Sequence, residues 1–339
     1  MKTRLSRSLV LAAAAAISLG TVSTAQAEKP VKIYILAGQS NMQGKGAIEE
    51  KRGKKNSLQH LVTDAATKEE FKFAVDDKGE WRVRDDVWVY YNLAPWRELR
   101  YGPLKPGFGT QSGQIGPEFG FGHVMGEALD EQILIIKTAW GGKSLNFNFQ
   151  PPSLNKGAKP TVILEIDKDH GAKADKTPGY FYYQSLEFVK HVTEDIKKYF
   201  PDYKGQGFEI AGLCWHQGWN DLGKMAPHYE KNMAAFIQDI RSKEHGLGIP
   251  DLPIVIATSG MMKDDSPIVK GQLAMADGSK YPKHAGNVRV VDTGKPYGPD
   301  KMEFHFGENR GHYHWSNHAR SYTNIGRAMA AEMLKLQKK

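Results

Sequence analysis

Six short apolar runs, separated by helical patterns, constrain the fold of this chain more than any other feature of its sequence. The runs are rich in valine and isoleucine, and most lack polar alternation, as expected of strands covered on both faces. Segments with apolar residues at three- and four-residue spacing lie between them. This alternation predicts a mainly parallel sheet with helices on both faces, an α/β fold. The predicted strands are Val31–Leu36, Val87–Tyr91, Gln132–Lys137, Phe208–Cys214, Pro253–Thr258 and Val288–Asp292, and the predicted helices are Phe119–Ala128, Tyr182–Tyr199, His228–Lys243 and Asn317–Leu336.

The first 27 residues have the features of a secretory signal peptide. A basic start is followed by an apolar run over residues 9–19, and Ala25-Gln26-Ala27 is a typical cleavage site. The apolar run is too short to span a bilayer stably. We therefore expect a secreted or periplasmic protein without membrane insertion, in which residues 28–339 form a single domain.

The amino-acid composition of the chain argues against nucleic-acid binding but excludes few other functions. The formal net charge is +8, and the basic residues are spread in short runs such as Lys51–Lys55, which are typical of solvated surfaces. Cys214 is the only cysteine, so no intramolecular disulfide can form. A chain of 339 residues can build an ordinary hydrophobic core. We expect no nucleic-acid partner, and the sequence does not indicate an oligomeric state.

Three distinctive motifs follow predicted strands directly. "GQSNM" at residues 38–42 follows the first strand, "TAWGGKS" at residues 138–144 follows the third, and "WHQGWND" at residues 215–221 follows the fourth. Because ligands bind at the carboxyl ends of parallel strands, we expect the three motifs to form one site. Two long polar segments, 49–79 and 143–179, exceed ordinary connection lengths and are expected to decorate or cover that site.

The residue types in these motifs fit acyl transfer, which needs a nucleophile, a base and donors for the developing oxyanion. Ser40 is the candidate nucleophile, although its segment is not the G-x-S-x-G elbow of α/β-hydrolases. The backbone N–H groups of Gly141 and Gly142 could approach a substrate closely, because no side chain is in the way. Asn220 or Gln217 could supply a side-chain amide donor.

Candidate bases are clustered just before the last predicted helix. His312, His314 and His318 all lie within seven residues there. Their spacing also permits metal binding, but no matching set of carboxylate or cysteine ligands lies nearby. We therefore expect no metal, and a metal-dependent hydrolase that uses these histidines is a less favoured alternative.

Taken in chain order, the motifs "GQSNM", "GGKS", "WHQGWND" and "HWSNHARSYTNIGRAM" resemble the SGNH hydrolase superfamily. Within it, they are similar to the sialate O-acetylesterase-like domain of the sixth carbohydrate esterase family, which includes acetylxylan esterases. The resemblance extends over residues 31–333. It implies a three-layer α/β/α sandwich, hydrolysis of O-acetyl groups on carbohydrate, and no cofactor. It does not choose between acetylated xylan, sialic acid and related glycans.

The resemblance also implies roles for individual residues. Ser40 matches the nucleophile, and His314 matches the base. Gly142 matches the glycine whose backbone N–H donates to the oxyanion, and Asn220 matches the side-chain donor, with Gln217 as the alternative.

One position departs from the pattern of the superfamily, which often places an aspartate three residues before the catalytic histidine. This chain has Gly311 there. Glu308 is the nearest upstream carboxylate and is our candidate for the orienting acid, with Asp221, Asp292 or a backbone carbonyl as alternatives. The departure also supports a different function, that of a catalytically inactive glycan-binding domain of the same fold.

Four of the seven tryptophans lie in the motif segments: Trp140, Trp215, Trp219 and Trp315. Tryptophan faces suit stacking on sugar rings, although packing in a core is their commoner use. The sequence leaves open whether any of the four contacts a substrate.

Overall fold

The computed structural model describes residues 28–294 and 313–338, and its strands form one large and one small sheet. The strands of these two ranges are β1 Val31–Gly38, β2 Gly46–Ala47, β3 Arg84–Asn92, β4 Leu99–Leu104, β5 Gln114–Ile115, β6 Ile133–Ala139, β7 Phe208–His216, β8 Ile254–Ala257 and β9 Val288–Val291. The large sheet has the order β4-β3-β6-β1-β7-β8-β9, and β2 pairs with β5 separately. All neighbours in the large sheet are parallel except β3 and β4. The predicted mainly parallel sheet is confirmed.

Helices cover both faces of the large sheet. The α-helices of the described ranges are α1 Ser40–Gln43, α2 Glu50–Gly53, α3 Leu58–Thr63, α4 Lys68–Phe71, α5 Pro117–Ala128, α6 Lys168–Ala174, α7 Tyr180–Glu194, α8 Ile196–Tyr199, α9 Tyr229–Arg241, α10 Pro267–Ala274 and α11 Ala319–Gln337. One core cluster joins the sheet to α7 and α9, and a second joins it to α5 and α11. The molecule therefore has the three-layer arrangement that the resemblance implied, with β1 and β6 buried almost throughout.

The structure differs from the sequence prediction in several places. The predicted helix over residues 182–199 is interrupted at Asp195, whose carboxylate accepts a hydrogen bond from the Lys198 N–H and begins a new short helix. β4 was not predicted, because an antiparallel edge strand that is partly exposed has no continuous apolar run. Segment 49–79 holds three short α-helices and two 3-10 helices rather than one irregular loop. No helix in the described ranges is long and apolar enough to cross a bilayer.

The carboxyl ends of the central strands bring the three sequence motifs together. Gly38, the last residue of β1, is in register with Ala139 of β6 and with His216 of β7. Gly38 has φ of 151°, and a Cβ there would lie 2.3 Å from the His216 carbonyl oxygen. Any side chain at this position would clash with β7, so only glycine allows the close approach. Beyond Gly38 the chain turns sharply and places the next residues at the edge of the sheet.

Candidate active site

Ser40 begins the short helix α1 directly beyond the end of β1. The turn closes with a hydrogen bond from the Gly44 N–H to the Ser40 carbonyl, at 2.9 Å. The residue is buried, with 7 % of its surface exposed. The His314 Nε2 atom lies 3.0 Å from Ser40 Oγ, although 274 residues separate the two in sequence. This is the distance at which an imidazole can take a proton from a serine hydroxyl.

The segment that carries His314 is attached to the turn that carries Ser40 through Asn41 and Tyr322. The Tyr322 hydroxyl lies 3.2 Å from the His314 carbonyl oxygen and 3.1 Å from Asn41 Oδ1. The Asn41 amide donates in turn to the Tyr313 carbonyl oxygen, at 3.0 Å. Tyr322 and Asn41 are both buried. The residue next to the serine therefore helps to fix the position of the histidine, a connection that sequence reasoning missed.

Three consecutive residues after His314 adopt left-handed backbone conformations. Trp315, Ser316 and Asn317 have φ of 51°, 52° and 58°. Such conformations are uncommon for residues other than glycine, and a run of three must be held by the surrounding structure. Trp315 is 2 % exposed and packs in the core cluster beneath α11, which anchors the turn.

The candidate oxyanion donors lie on the two other loops at this edge. A Cβ on Gly141 would lie 3.7 Å from the Ser40 Cβ, so the glycine pair passes directly beside the serine. Gly142 is exposed and has φ of 76°, a left-handed conformation suited to glycine. Asn220 is also exposed, and its backbone N–H lies 3.4 Å from Gln39 Oε1. The backbone of Asn220 is thus attached to Gln39, the residue that precedes Ser40.

Gln217 is buried and its amide nitrogen faces three acceptors. Gln217 Nε2 lies 2.6 Å from Asp221 Oδ2, 3.1 Å from the Lys143 carbonyl oxygen and 3.2 Å from Gln39 Oε1. A primary amide has two hydrogens, and these acceptors already engage both. This geometry favours Asn220 over Gln217 as the donor that faces a substrate.

Asp221 joins the loop after β7 to the glycine loop after β6. Its carboxylate accepts hydrogen bonds from the Leu145 N–H at 2.8 Å and the Asn146 N–H at 2.7 Å, besides the one from Gln217. Burial raises the pKa of Asp221, and these three hydrogen bonds oppose the increase. Both carboxylate oxygens accept hydrogen bonds from residues of these two loops. Asp221 therefore holds the two loops together. Its position does not support the alternative in which it orients His314.

His216 lies at the end of β7 and is a buried neutral histidine. Its Nδ1 lies 3.1 Å from the Ala257 carbonyl oxygen, so Nδ1 carries the proton, since a carbonyl only accepts. Burial lowers the pKa of His216 to about 4, and the bond to Ala257 opposes this only partly. The His216 ring thus contacts the neighbouring strand β8 inside the sheet, whereas the His314 ring contacts Ser40.

A buried lysine supports the far end of α1, and sequence reasoning missed it. Lys137 Nζ lies 2.8 Å from the Gln43 carbonyl oxygen, 2.7 Å from the Phe108 carbonyl oxygen and 2.7 Å from Glu118 Oε2. Glu118 also accepts a hydrogen bond from the Gly116 N–H. Both charged side chains are almost wholly inaccessible to solvent. Burial lowers the pKa of Lys137, and the Glu118 carboxylate opposes the decrease.

The other predicted acid and base residues are only partly described. Glu308 and His312 lie outside the described residues. Asp292 Oδ1 accepts hydrogen bonds from Thr258 Oγ1 and the Gly294 N–H. His318 caps α11, accepting at Nδ1 from the Arg320 N–H. Among residues 28–294 and 313–338, no group of three histidine, cysteine, aspartate or glutamate side chains could hold a metal ion.

Three of the four motif tryptophans belong to the hydrophobic core. Trp140, Trp215 and Trp315 are each at most 2 % exposed. Trp219 is half-buried, and its ring centroid lies 5.8 Å from that of Tyr313, which is 45 % exposed. Of these tryptophans, Trp219 is the one that can offer a face to a ligand.

Comparison with known proteins gives a family and a fold. The family described as "carbohydrate esterase, sialic acid-specific acetylesterase" matches residues 30–335. An Arabidopsis thaliana protein of known structure is similar over 90 % of this chain and 98 % of its own, with 17 % identity and a TM-score of 0.50. A carbohydrate acetylesterase from Xanthomonas citri is similar over 88 % of this chain and 55 % of its own, with 14 % identity and a TM-score of 0.49. No functionally curated protein matches.

Proposed function

Because the chain belongs to the carbohydrate esterase family of sialic acid-specific acetylesterases, and is thus a carboxylic ester hydrolase, we propose that it removes O-acetyl groups from carbohydrate with Ser40 as nucleophile. The observation that carries this proposal is the 3.0 Å distance between His314 Nε2 and Ser40 Oγ. A glycan-binding domain without activity would not need this pair. The acetylated sugar is xylan, sialic acid or a related glycan.

In the proposed mechanism, Ser40 Oγ attacks the acetyl carbonyl carbon while its proton moves to His314 Nε2. The resulting oxyanion accepts hydrogen bonds from the backbone N–H of Gly142 and the side-chain amide of Asn220. The bond between the acetyl carbon and the sugar oxygen then breaks, and His314 protonates that oxygen. Water, deprotonated by His314, then attacks the acetyl carbon of the acetyl-enzyme. The bond between that carbon and Ser40 Oγ breaks, His314 returns the proton to Ser40 Oγ, and acetate is released.

Release of acetate from a chromogenic acetyl ester, measured with and without a chelator, tests this function. We expect turnover that the chelator does not change. Absence of turnover would favour the glycan-binding alternative, and turnover that the chelator abolishes would favour a metal-dependent hydrolase.

Replacing Asn220 by alanine is expected to lower kcat on the order of 10²-fold with little change in KM, because an oxyanion donor acts mainly in the transition state. Steady-state kinetics on the same substrate measure this. The matched variant is Lys224→Ala, an exposed residue shortly after the motif. It is expected to leave kcat unchanged. If Gln217→Ala lowers kcat in this way and Asn220→Ala does not, Gln217 is the donor.

Glu308 stays our proposed orienting acid. An acid that fixes the tautomer of His314 contributes strongly to kcat. Glu308→Ala is therefore expected to lower kcat at least tenfold, as an order of magnitude for a positioned general base. Wild-type kcat in this variant and in Asp292→Ala, with His314→Ala inactive, would indicate a serine–histidine dyad instead.

We also propose that the protein is exported and cleaved after Ala27. The basic start, the apolar run and the Ala25-Gln26-Ala27 site support this. Amino-terminal sequencing of the exported protein is expected to begin at Glu28, and an intact Met1 on that protein would contradict the proposal.

A further inference from the structure

An aromatic surface of two residues lies beside the candidate base. Tyr313 is 45 % exposed, and its ring centroid lies 4.2 Å from that of His314. On its other side the ring lies 5.8 Å from the Trp219 ring, and the two planes are tilted by 33°. We call Trp219 and Tyr313 the aromatic shelf.

The shelf is well supported from below. Trp219 packs against the core clusters on both faces of the sheet. The carbonyl oxygen of Tyr313 accepts the hydrogen bond from Asn41 described above. Large aromatic side chains that are held in place but partly exposed bind ligands at a low entropic cost.

The proposed mechanism determines which part of a substrate reaches the shelf. The acetyl carbonyl carbon must lie next to Ser40 Oγ, and the leaving oxygen must be within hydrogen-bonding distance of His314 Nε2, which protonates it. The group attached to that oxygen therefore extends past His314. The Tyr313 ring adjoins His314, so the shelf lies on the leaving-group side of the site.

We propose that the aromatic shelf is the subsite for the sugar ring of the leaving group. The C–H faces of a pyranose are apolar, and aromatic rings cover such faces well. The shelf then makes the enzyme prefer esters of cyclic sugars over esters of small alcohols. This inference rests on the proposed function and adds to it the residues that recognise the sugar ring of the leaving group.

The test compares an acetylated xylo-oligosaccharide with ethyl acetate, which has no ring to stack. Aryl acetates are unsuitable, because their aromatic leaving group would also stack. Tyr313→Ala is expected to lower kcat/KM for the oligosaccharide about tenfold more than for ethyl acetate, as an order of magnitude for one stacking contact. Tyr313→Phe keeps the ring and is expected to retain the wild-type ratio of the two values.

Tyr101→Ala is the matched control, because Tyr101 is 50 % exposed but lies on the edge strand β4. It is expected to leave the ratio unchanged. An equal loss on both esters in Tyr313→Ala would overturn the proposal, since the ring would then act only by supporting His314. An unchanged ratio in Tyr313→Ala, or an equal change in Tyr101→Ala, would also overturn it.

A binding measurement separates failure of the shelf from failure of the proposed function. Titration of the Ser40→Ala protein with the acetylated oligosaccharide gives a Kd that does not depend on turnover. Adding Tyr313→Ala to this protein is expected to raise that Kd about tenfold. If the wild-type protein hydrolyses neither ester but the Kd rises as expected, the aromatic shelf binds the sugar and the proposed esterase function is wrong. If the Kd does not rise, the shelf is wrong.

Discussion

Replacement of Ser40 by alanine is expected to lower kcat for an acetylated oligosaccharide on the order of 10³-fold or more, because it removes both the covalent route and the proton transfer to His314. His314→Ala is expected to cause a loss of similar size, since the two residues act as a unit. Steady-state acetate release measures both, and thermal unfolding of each variant shows whether the fold is retained.

The matched control for this prediction is Ser185→Ala. Ser185 is a buried serine in α7 whose hydroxyl donates only to the Phe181 carbonyl oxygen one turn earlier among the described contacts. Its loss is expected to leave kcat near the wild-type value. A Ser40→Ala protein that retains even a tenth of wild-type kcat would exclude Ser40 as the nucleophile.

Replacement of Lys137 by methionine is expected to lower the free energy of unfolding by roughly 3–5 kcal/mol, because it leaves the Glu118 carboxylate buried without its partner. The carbonyl oxygens of Gln43 and Phe108 also lose the donor that lies 2.7–2.8 Å from each. Denaturant unfolding followed by circular dichroism measures the change.

A double variant identifies the cause of that loss. Lys137→Met with Glu118→Gln removes the unpaired charge and keeps the acceptor for the Gly116 N–H, so it is expected to be less destabilised than Lys137→Met alone. Lys190→Met removes a lysine from an exposed ion pair with Glu194 and is expected to change the free energy of unfolding by less than about 1 kcal/mol. Equal, small effects at Lys137 and Lys190 would contradict the structural role of the buried pair.

The parallel sheet was predictable because strands buried on both faces are apolar without interruption. β1 and β6 have this pattern, and both were found from it. The edge strand β4 is partly exposed and mixed in composition, so its sequence has no strand pattern. The apolar spacing over residues 182–199 correctly predicted helical structure there. It cannot show that Asp195 interrupts the helix by capping a new one.

The residues of the candidate site could be proposed from the sequence where a motif marks them, but not where tertiary contacts define them. Ser40 stood out through the turn after β1, whereas the choice of His314 from its cluster depended on the resemblance to a family. Lys137 ends an apolar run, and nothing in its neighbourhood shows that it contacts the Gln43 carbonyl 94 residues away. Burial of Trp140 and exposure of Tyr313 likewise depend on packing that no local pattern records.

Covalent labelling tests the central claim, that Ser40 is a nucleophile activated by His314. The protein is incubated with an alkyl fluorophosphonate, and the adduct is located by mass spectrometry of its peptides. We expect one adduct, on Ser40, formed much more slowly in His314→Ala and absent in Ser40→Ala. An adduct on another residue, or an active protein that forms none, would contradict the claim.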